Sequence, residues 1–182
     1  MQFSTFSFLL ISELAAVILW LGATELHHLR HPQDSRYLMT DLDNERSGKV
    51  LNFSVEADVD EIVSASERIS EFCAMNGMST KATMRLEMSM EEVMTLIRQV
   101  NADRGFQELR FDLRAYAIMG VRGIRIRYSG IPFNPFLFSS MERGIGEDMY
   151  MGVRMIKRMV EMVSYQRAFG VNTLQIILKD GE

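Results

Sequence analysis

Two adjacent glutamates, Glu91 and Glu92, lie in the middle of an apolar-periodic stretch over residues 84–98. A carboxylate held in position can orient or deprotonate an attacking group, so this pair is the first candidate for acid–base chemistry. Apolar residues recur at helical spacing from Ala82 to Val100, which predicts an amphipathic helix. Glu92 lies beside the apolar stripe, and we therefore expect it at the edge of whatever this helix covers.

A second candidate region comes directly after a predicted strand and is rich in turn-forming residues. Residues 128–135, YSGIPFNP, contain Gly130 and two prolines, so the strand cannot continue through them. Residues 136–150 then form a long segment with Gly144 and Gly146. Loops of this length in a folded domain are usually functional or disordered.

These residues must be positioned by a mixture of strands and helices. Alternating patterns predict strands over 49–56, 108–116, 124–128 and 173–179, with a turn region between Gly120 and Gly123. Helical patterns begin after Asp58 or Asp60 and after Ser79 or Thr80, and a third helix is predicted over 151–165. The order predicts an α/β two-layer sandwich, in which helices cover one face of a mostly antiparallel mixed sheet.

Composition restricts the function. The chain has 182 residues, a formal net charge of −4 and a pI near 5.5, which argues against a nucleic-acid binder. The single Cys73 excludes an internal disulfide, and paired-cysteine zinc motifs are absent from the sequence. We therefore expect no metal site and a reducing compartment.

The N-terminus carries an apolar run over residues 6–23, broken only by Glu13 and two serines. About 17–20 such residues suffice for a transmembrane helix, and the basic residues between His27 and Arg36 favour a cytoplasmic location for the remainder of the chain. The predicted organisation is an apolar helix over 1–26, a linker over 27–48 and a main domain over 49–182. A buried helix of a soluble protein is the alternative.

Four stretches resemble, in order, the segments of one known fold: RLEMSMEEVMTLIR at 85–98, YSGIPFNP at 128–135, GIGEDMYMGVRMIKRMVEMVSY at 144–165 and GVNTLQIILK at 170–179. Over residues 50–179 the chain resembles the histidine kinase-like ATPase (GHKL) superfamily of gyrase, heat-shock chaperones, histidine kinases and mismatch-repair proteins. Within it, the chain looks most like the anti-sigma-factor serine kinases of bacterial partner-switching systems.

The resemblance implies roles for individual positions. Glu92 falls on the family glutamate that activates the attacking group, and Leu96 falls on the asparagine that binds Mg²⁺. Tyr128 stands where the family has the aspartate that binds the adenine amino group. The other nucleotide-binding positions are four glycines and a threonine near the adenine: Gly130, Gly144, Gly146, Gly152 and Thr173.

Leucine offers no oxygen to a metal ion, and Glu147 and Asp148 bring negative charge to the segment that phosphate would approach. We therefore expect weak ATP binding without Mg²⁺, and a membrane-anchored regulatory domain that acts through nucleotide or protein binding. Two alternatives stay open. One is an active ATP-dependent serine kinase with Glu91 or Asn101 as a relocated metal ligand; the other is the cytoplasmic tail of an efflux-type multi-span transporter. The kinase family also implies a homodimer formed through the first strand and helix.

Overall fold

The computed structural model describes residues 11–23, 46–106, 108–137 and 147–178, with side chains except at 147–150. Residues 11–23 are helical. From residue 46 onward, the described elements have the order strand, helix, helix, strand, strand, helix, strand, strand. They are β1 (Val50–Glu56), α1 (Val59–Met75), α2 (Thr80–Asp103), β2 (Arg110–Ile118), β3 (Val121–Ser129), α3 (Glu147–Met159), β4 (Val160–Ala168) and β5 (Val171–Leu178).

The five strands form one sheet in the order β1-β2-β3-β5-β4, and every pairing is antiparallel. The predicted α/β class is confirmed, although the sheet is not mixed. Two-residue turns join β2 to β3 through Met119 and Gly120, and β4 to β5 through Phe169 and Gly170. All four turn residues have positive φ, which is the backbone geometry that matches strand twist in a tight hairpin.

The helices begin and end where short polar residues and glycine favour it. Asp58 caps α1 by accepting a hydrogen bond from a first-turn N–H at 2.9 Å, and Ser79 caps α2 similarly at 3.2 Å. Gly77, just beyond α1, has a φ of +63°, which only glycine adopts readily. These boundaries set where α2 begins along the chain, and Glu92 therefore lies in the middle of this helix.

One face of the sheet packs against the helices and forms the core. Because side chains alternate along a strand, every second residue of the sheet lies on this face. The buried apolar residues on this face include Phe53, Val55, Phe111, Leu113, Ala115, Ile124, Ile126, Tyr128, Leu174, Ile176 and Leu178. The apolar stripe of α2 covers much of this face with Leu86, Met90, Val93, Met94, Leu96, Ile97 and Val100.

The opposite face of the sheet carries most of its polar residues. Ser54 donates a hydrogen bond to Asp112 at 2.6 Å, and Arg114 donates to Asn52 at 3.3 Å. The outward positions of β2 and β3 include the arginines that the sequence pattern assigned to solvent: Arg110, Arg114, Arg125 and Arg127. The described part of the domain therefore has a helical layer on one side of the sheet only.

The prediction of one helix over 151–165 is wrong beyond Met159. α3 ends there, and Val160–Ala168 form β4. The helical apolar period continues through Val160 and Val163, which is why the pattern extends too far. The Phe169–Gly170 turn folds this segment back against β5, where Val163 lies opposite Ile176. Pairing with β5 thus overrides the local helical pattern.

The β2–β3 turn is also shorter than the sequence indicates. Met119 and Gly120 form it, whereas Gly123 lies within β3 opposite Tyr116. A Cβ atom at Gly123 would overlap the carbonyl oxygen of Ile176 and lie 2.7 Å from the Tyr116 hydroxyl. Gly123 therefore permits close packing within the sheet and is not a turn residue.

All residues of the helical segment 11–23 are exposed. The start of the predicted span at 6–23, and the linker up to residue 45, lie outside the described residues. Among the helices that the structure describes, none is both long and apolar enough to cross a membrane.

Candidate functional site

The predicted glutamate and the position expected for a metal ligand differ in their surroundings. Both lie on α2, one turn apart, and that spacing places them on neighbouring positions of the helix surface. Glu92 is exposed at the rim of the helical layer. Leu96 is only 2% exposed and belongs to the core. Leu96 therefore contributes to the hydrophobic core, whereas Glu92 faces outward.

Glu92 meets Gly152 of α3. A Cβ atom at Gly152 would overlap the Oε2 atom of Glu92 and lie 2.9 Å from its Cδ atom. Two residues predicted from separate sequence segments are thus in contact. The carboxylate lies against the second turn of α3, in the N-terminal half of a helix that begins at Glu147. A carboxylate there can accept a proton from water, but it repels a phosphate group.

Tyr128 is buried at the end of β3, on the helix side of the sheet. Its ring meets that of Phe111 edge-on, with ring centroids 6.0 Å apart and planes at 64°, a favourable aromatic geometry. Its hydroxyl donates a hydrogen bond to the carbonyl oxygen of Phe133 at 2.9 Å. Burial raises the pKa of Tyr128 well above its ordinary value, and nearby Tyr165 adds to the rise. The residue is therefore a neutral donor.

Gly130 packs against Asn101, a buried amide at the C-terminal end of α2. The Nδ2 atom of Asn101 donates to the Ile97 carbonyl oxygen at 2.8 Å, and its Oδ1 atom accepts from the Ile131 N–H at 3.1 Å. A Cβ atom at Gly130 would lie 2.5 Å from that Oδ1 atom. Gly130 thus lets the chain leave β3 close to Asn101, whose Oδ1 atom bonds to this junction while its Nδ2 atom bonds within α2.

Asn172 is a buried polar residue that the sequence analysis missed. Its Oδ1 atom accepts a hydrogen bond from the Tyr165 hydroxyl at 2.7 Å. Its Nδ2 atom donates to the carbonyl oxygen of Ile131 at 3.2 Å and, more weakly, to that of Tyr128 at 3.4 Å. Thr173, the predicted residue, points to the polar face, where it lies opposite Arg127.

The alternation of β5 could have identified Asn172. Leu174, Ile176 and Leu178 are apolar and two residues apart, so Asn172 shares their face and Thr173 does not. The resemblance pointed to the threonine because it relied on residue type rather than on strand geometry.

The segment between Gly130 and Leu137 is held by polar contacts along its length. Asn134 caps its own turn, with its Oδ1 atom accepting from the Phe136 N–H at 3.0 Å. Lys157 of α3 donates to the carbonyl oxygen of Phe136 at 3.2 Å. The aromatic rings of Phe133 and Phe136 are buried beneath it. We call residues 130–137 the β3 loop; Asn101, Tyr128, Asn172 and Lys157 together bond it to the domain.

Gly144 and Gly146 lie outside the described residues. The structure therefore brings together Glu92 and Gly152 at one place and Tyr128 and Gly130 at another, with Thr173 on the far face. A scan against protein-family models and a search of curated proteins find no match for this chain.

The described residues do not fit a Mg²⁺–ATP complex. Leu96 provides no oxygen ligand and is buried in the core. Tyr128, which the resemblance places beside adenine, instead directs its hydroxyl to Phe133 of the same chain. What remains is an ordered loop junction on a helix–sheet scaffold.

Proposed function

We propose that this chain is a membrane-attached regulatory domain of the histidine kinase-like ATPase type, which acts by binding a protein partner rather than by phosphoryl transfer. One observation carries the proposal. At the end of β3, the polar groups of Asn101, Tyr128 and Asn172 are bonded to the β3 loop instead of being available to a nucleotide.

Two further observations support the relation to ATPases of this type. The element order, with two helices after β1 and a hairpin after α3, is compatible with the resemblance. Glu92 and Gly152, which the resemblance assigned to one nucleotide site, are in contact.

The active-kinase alternative requires another oxygen ligand for Mg²⁺. Asn101 is fully buried and already bonded at both ends of its amide. Glu91 precedes Glu92 and therefore points about 100° away from it around the helix. Since neither residue offers an oxygen beside Glu92, we favour the regulatory role.

Membrane attachment is supported by the N-terminal segment. Ile18, Leu19 and Trp20 are large apolar side chains that the main domain leaves exposed. Such side chains need an apolar environment, and an acyl-chain region provides one. The same observation is compatible with the transporter-tail alternative, in which further spans would accompany this segment, and both place the main domain beside a bilayer.

Calorimetric titration of the purified chain with ATP, with and without Mg²⁺, tests the loss of nucleotide function. We expect no heat of binding at millimolar ATP, whereas a cooperative thermal unfolding transition in the same sample shows that the domain is folded. Micromolar, Mg²⁺-dependent binding would overturn the proposal. If binding occurred, Glu92→Ala should weaken it and the matched variant Glu91→Ala should not, which would locate the site.

A further inference from the structure

The two hairpin turns of the sheet have the same backbone geometry, but they lie at opposite ends of the sheet and differ in the charges around them. Met119 and Phe169 each occupy the first position of an X-Gly turn, with φ of 52° and 51°. Asparagine, aspartate or glycine is usual at such a position. Met119 is 97% exposed, and Phe169 is fully exposed. Because β3 separates the turns by nine residues, they lie about 25 Å apart at opposite ends of the sheet.

The Met119 turn lies at the end where the chain enters the domain from its N-terminal segment. The Ala117 N–H donates to the carbonyl oxygen of Lys49 at 2.9 Å, and the Asn76 side chain donates to that of Gly48 at 2.9 Å. These contacts bring the end of α1 and the β2–β3 turn together beside the start of β1. We call this region the Met119 end; its exposed apolar residues are Met75, Met119 and Val121.

Charge differs between the two ends. Among the described residues, the Met119 end includes the basic residues Arg46, Lys49, Lys81 and Arg122 and the acids Glu71 and Glu161. No acidic residue occurs between Leu113 and Met141. The described residues of the other end include more acids than basic residues: Glu56, Asp58, Asp60, Glu61, Asp103 and Glu108 against Arg104, Arg110 and Arg167. The described part of the main domain is therefore polarised along its strands, although the whole chain is acidic.

We propose that the Met119 end is a lipid-binding surface, which rests on an anionic bilayer with Met119 inserted at the interface. Exposed methionine and valine side chains gain an apolar environment among the acyl chains, and the surrounding lysines and arginines meet anionic headgroups. The acidic end at Phe169 is turned away from the membrane because anionic headgroups repel it. In this orientation the start of β1, where the chain enters the domain, lies on the side that faces the bilayer.

The proposal rests on the membrane attachment in the proposed function but not on the absence of ATP binding. Its test uses the full chain with Cys73→Ala, so that a fluorescent probe can be attached to one introduced cysteine. The probe is placed at Met119→Cys or, as a matched control, at Phe169→Cys, which has the same turn geometry at the opposite end. The protein is reconstituted with phosphatidylcholine vesicles, with and without phosphatidylglycerol, and quenched by lipid-borne nitroxide or by aqueous iodide.

We expect lipid-borne nitroxide to quench the probe at residue 119 severalfold more than the probe at 169, and more strongly with phosphatidylglycerol present. Iodide should show the reverse preference. Equal quenching at both sites, or a probe at 119 that is open to iodide, would overturn the proposal. Protection of residue 119 from both quenchers would also overturn it and favour a protein contact there.

Two controls keep the outcome decisive. Met75→Cys, on α1 at the same end, replaces Met119→Cys if the latter disturbs the hairpin, and the same quenching pattern is expected. Flotation with vesicles distinguishes membrane attachment of the chain from insertion of Met119 at the interface. A chain that floats while residue 119 stays open to iodide contradicts this inference alone; a chain that does not float contradicts the membrane attachment as well.

Discussion

The hydroxyl of Tyr128 donates a 2.9 Å hydrogen bond to the carbonyl oxygen of Phe133, five residues further along the chain. Tyr128 is the last buried residue of β3, and Phe133 is in the β3 loop, so this bond fastens the loop to the strand from which it emerges. Because burial raises the pKa of Tyr128, the hydroxyl keeps its proton, and the bond persists, through neutral and moderately alkaline pH.

Tyr128→Phe should lower the free energy of unfolding by about 1–3 kcal/mol, because a carbonyl group in a buried site loses its partner. Tyr116→Phe is the matched control. The Tyr116 hydroxyl accepts a hydrogen bond from Gln175 at 2.9 Å on the polar face, where water can replace it. Denaturant unfolding of both variants should show the larger loss for Tyr128→Phe. Equal losses would mean that the β3 loop does not depend on this bond.

Two of the predicted site glycines should respond differently to alanine. At Gly130, φ is +155° and the new Cβ would press on Asn101, whose amide is held at both ends, so Gly130→Ala should cost about 2–4 kcal/mol. At Gly152, the three atoms nearest to the new Cβ all belong to the exposed Glu92 side chain, which can turn away.

In addition, alanine favours a helix over glycine by up to about 1 kcal/mol. Gly152→Ala should therefore change stability by less than about 1 kcal/mol. Thermal unfolding of the two variants gives the comparison. A large loss for Gly152→Ala that Glu92→Ala relieves would instead show that the Glu92 side chain is fixed against α3.

Much of the fold can be predicted from local sequence patterns, such as the alternation of side chains along a strand and the residues that cap a helix. Strand alternation predicts β1, most of β2 and the second half of β3, and Gly77 predicts the end of α1, because each depends on neighbouring residues. The error at Val160 arises because helix and strand patterns overlap in a stretch with valines three residues apart. The choice between helix and strand depends on pairing with β5, and the Phe169–Gly170 turn is what places β5 beside this segment.

The candidate site was less predictable because its bonds join distant segments. Glu92 and Gly152 lie 60 residues apart in the sequence, and their contact depends on how α3 crosses α2. Asn101 and Asn172 each reach Ile131 from a different element, and no local pattern indicates such a junction. A buried polar residue is visible from sequence only when strand alternation is applied strictly, as at Asn172.

Asn172→Leu should destabilise the domain by about 2–4 kcal/mol, because the Tyr165 hydroxyl and the Ile131 carbonyl group both lose a partner. The neighbouring variant Thr173→Val is the control. It changes a residue on the polar face, where β-branched side chains suit a strand, so we expect a change within about 0.5 kcal/mol. Urea unfolding measures both. If Thr173→Val proved the more damaging, the assignment of the two residues to opposite faces of β5 would be wrong.

Cys73 should make the domain less stable at alkaline pH. Burial raises the pKa of its thiol from 9.0 to about 11, with a smaller rise from Glu87 and an opposing hydrogen bond with Thr83. Between these values the unfolded chain has lost the proton and the folded chain retains it. The unfolded state then binds fewer protons, so stability falls as pH rises from 9 towards 11.

The loss that Cys73 causes over this range should be about 1–3 kcal/mol. Cys73→Ala removes the titrating thiol and leaves a small cavity whose cost does not depend on pH. Other groups titrate in this range, so the quantity to measure is the difference in free energy of unfolding between the two proteins, at about pH 8 and about pH 10.5. We expect the advantage of the wild-type chain to shrink as pH rises. A difference that stays constant would mean that the thiol ionises equally well in the folded domain, and hence that water reaches Cys73.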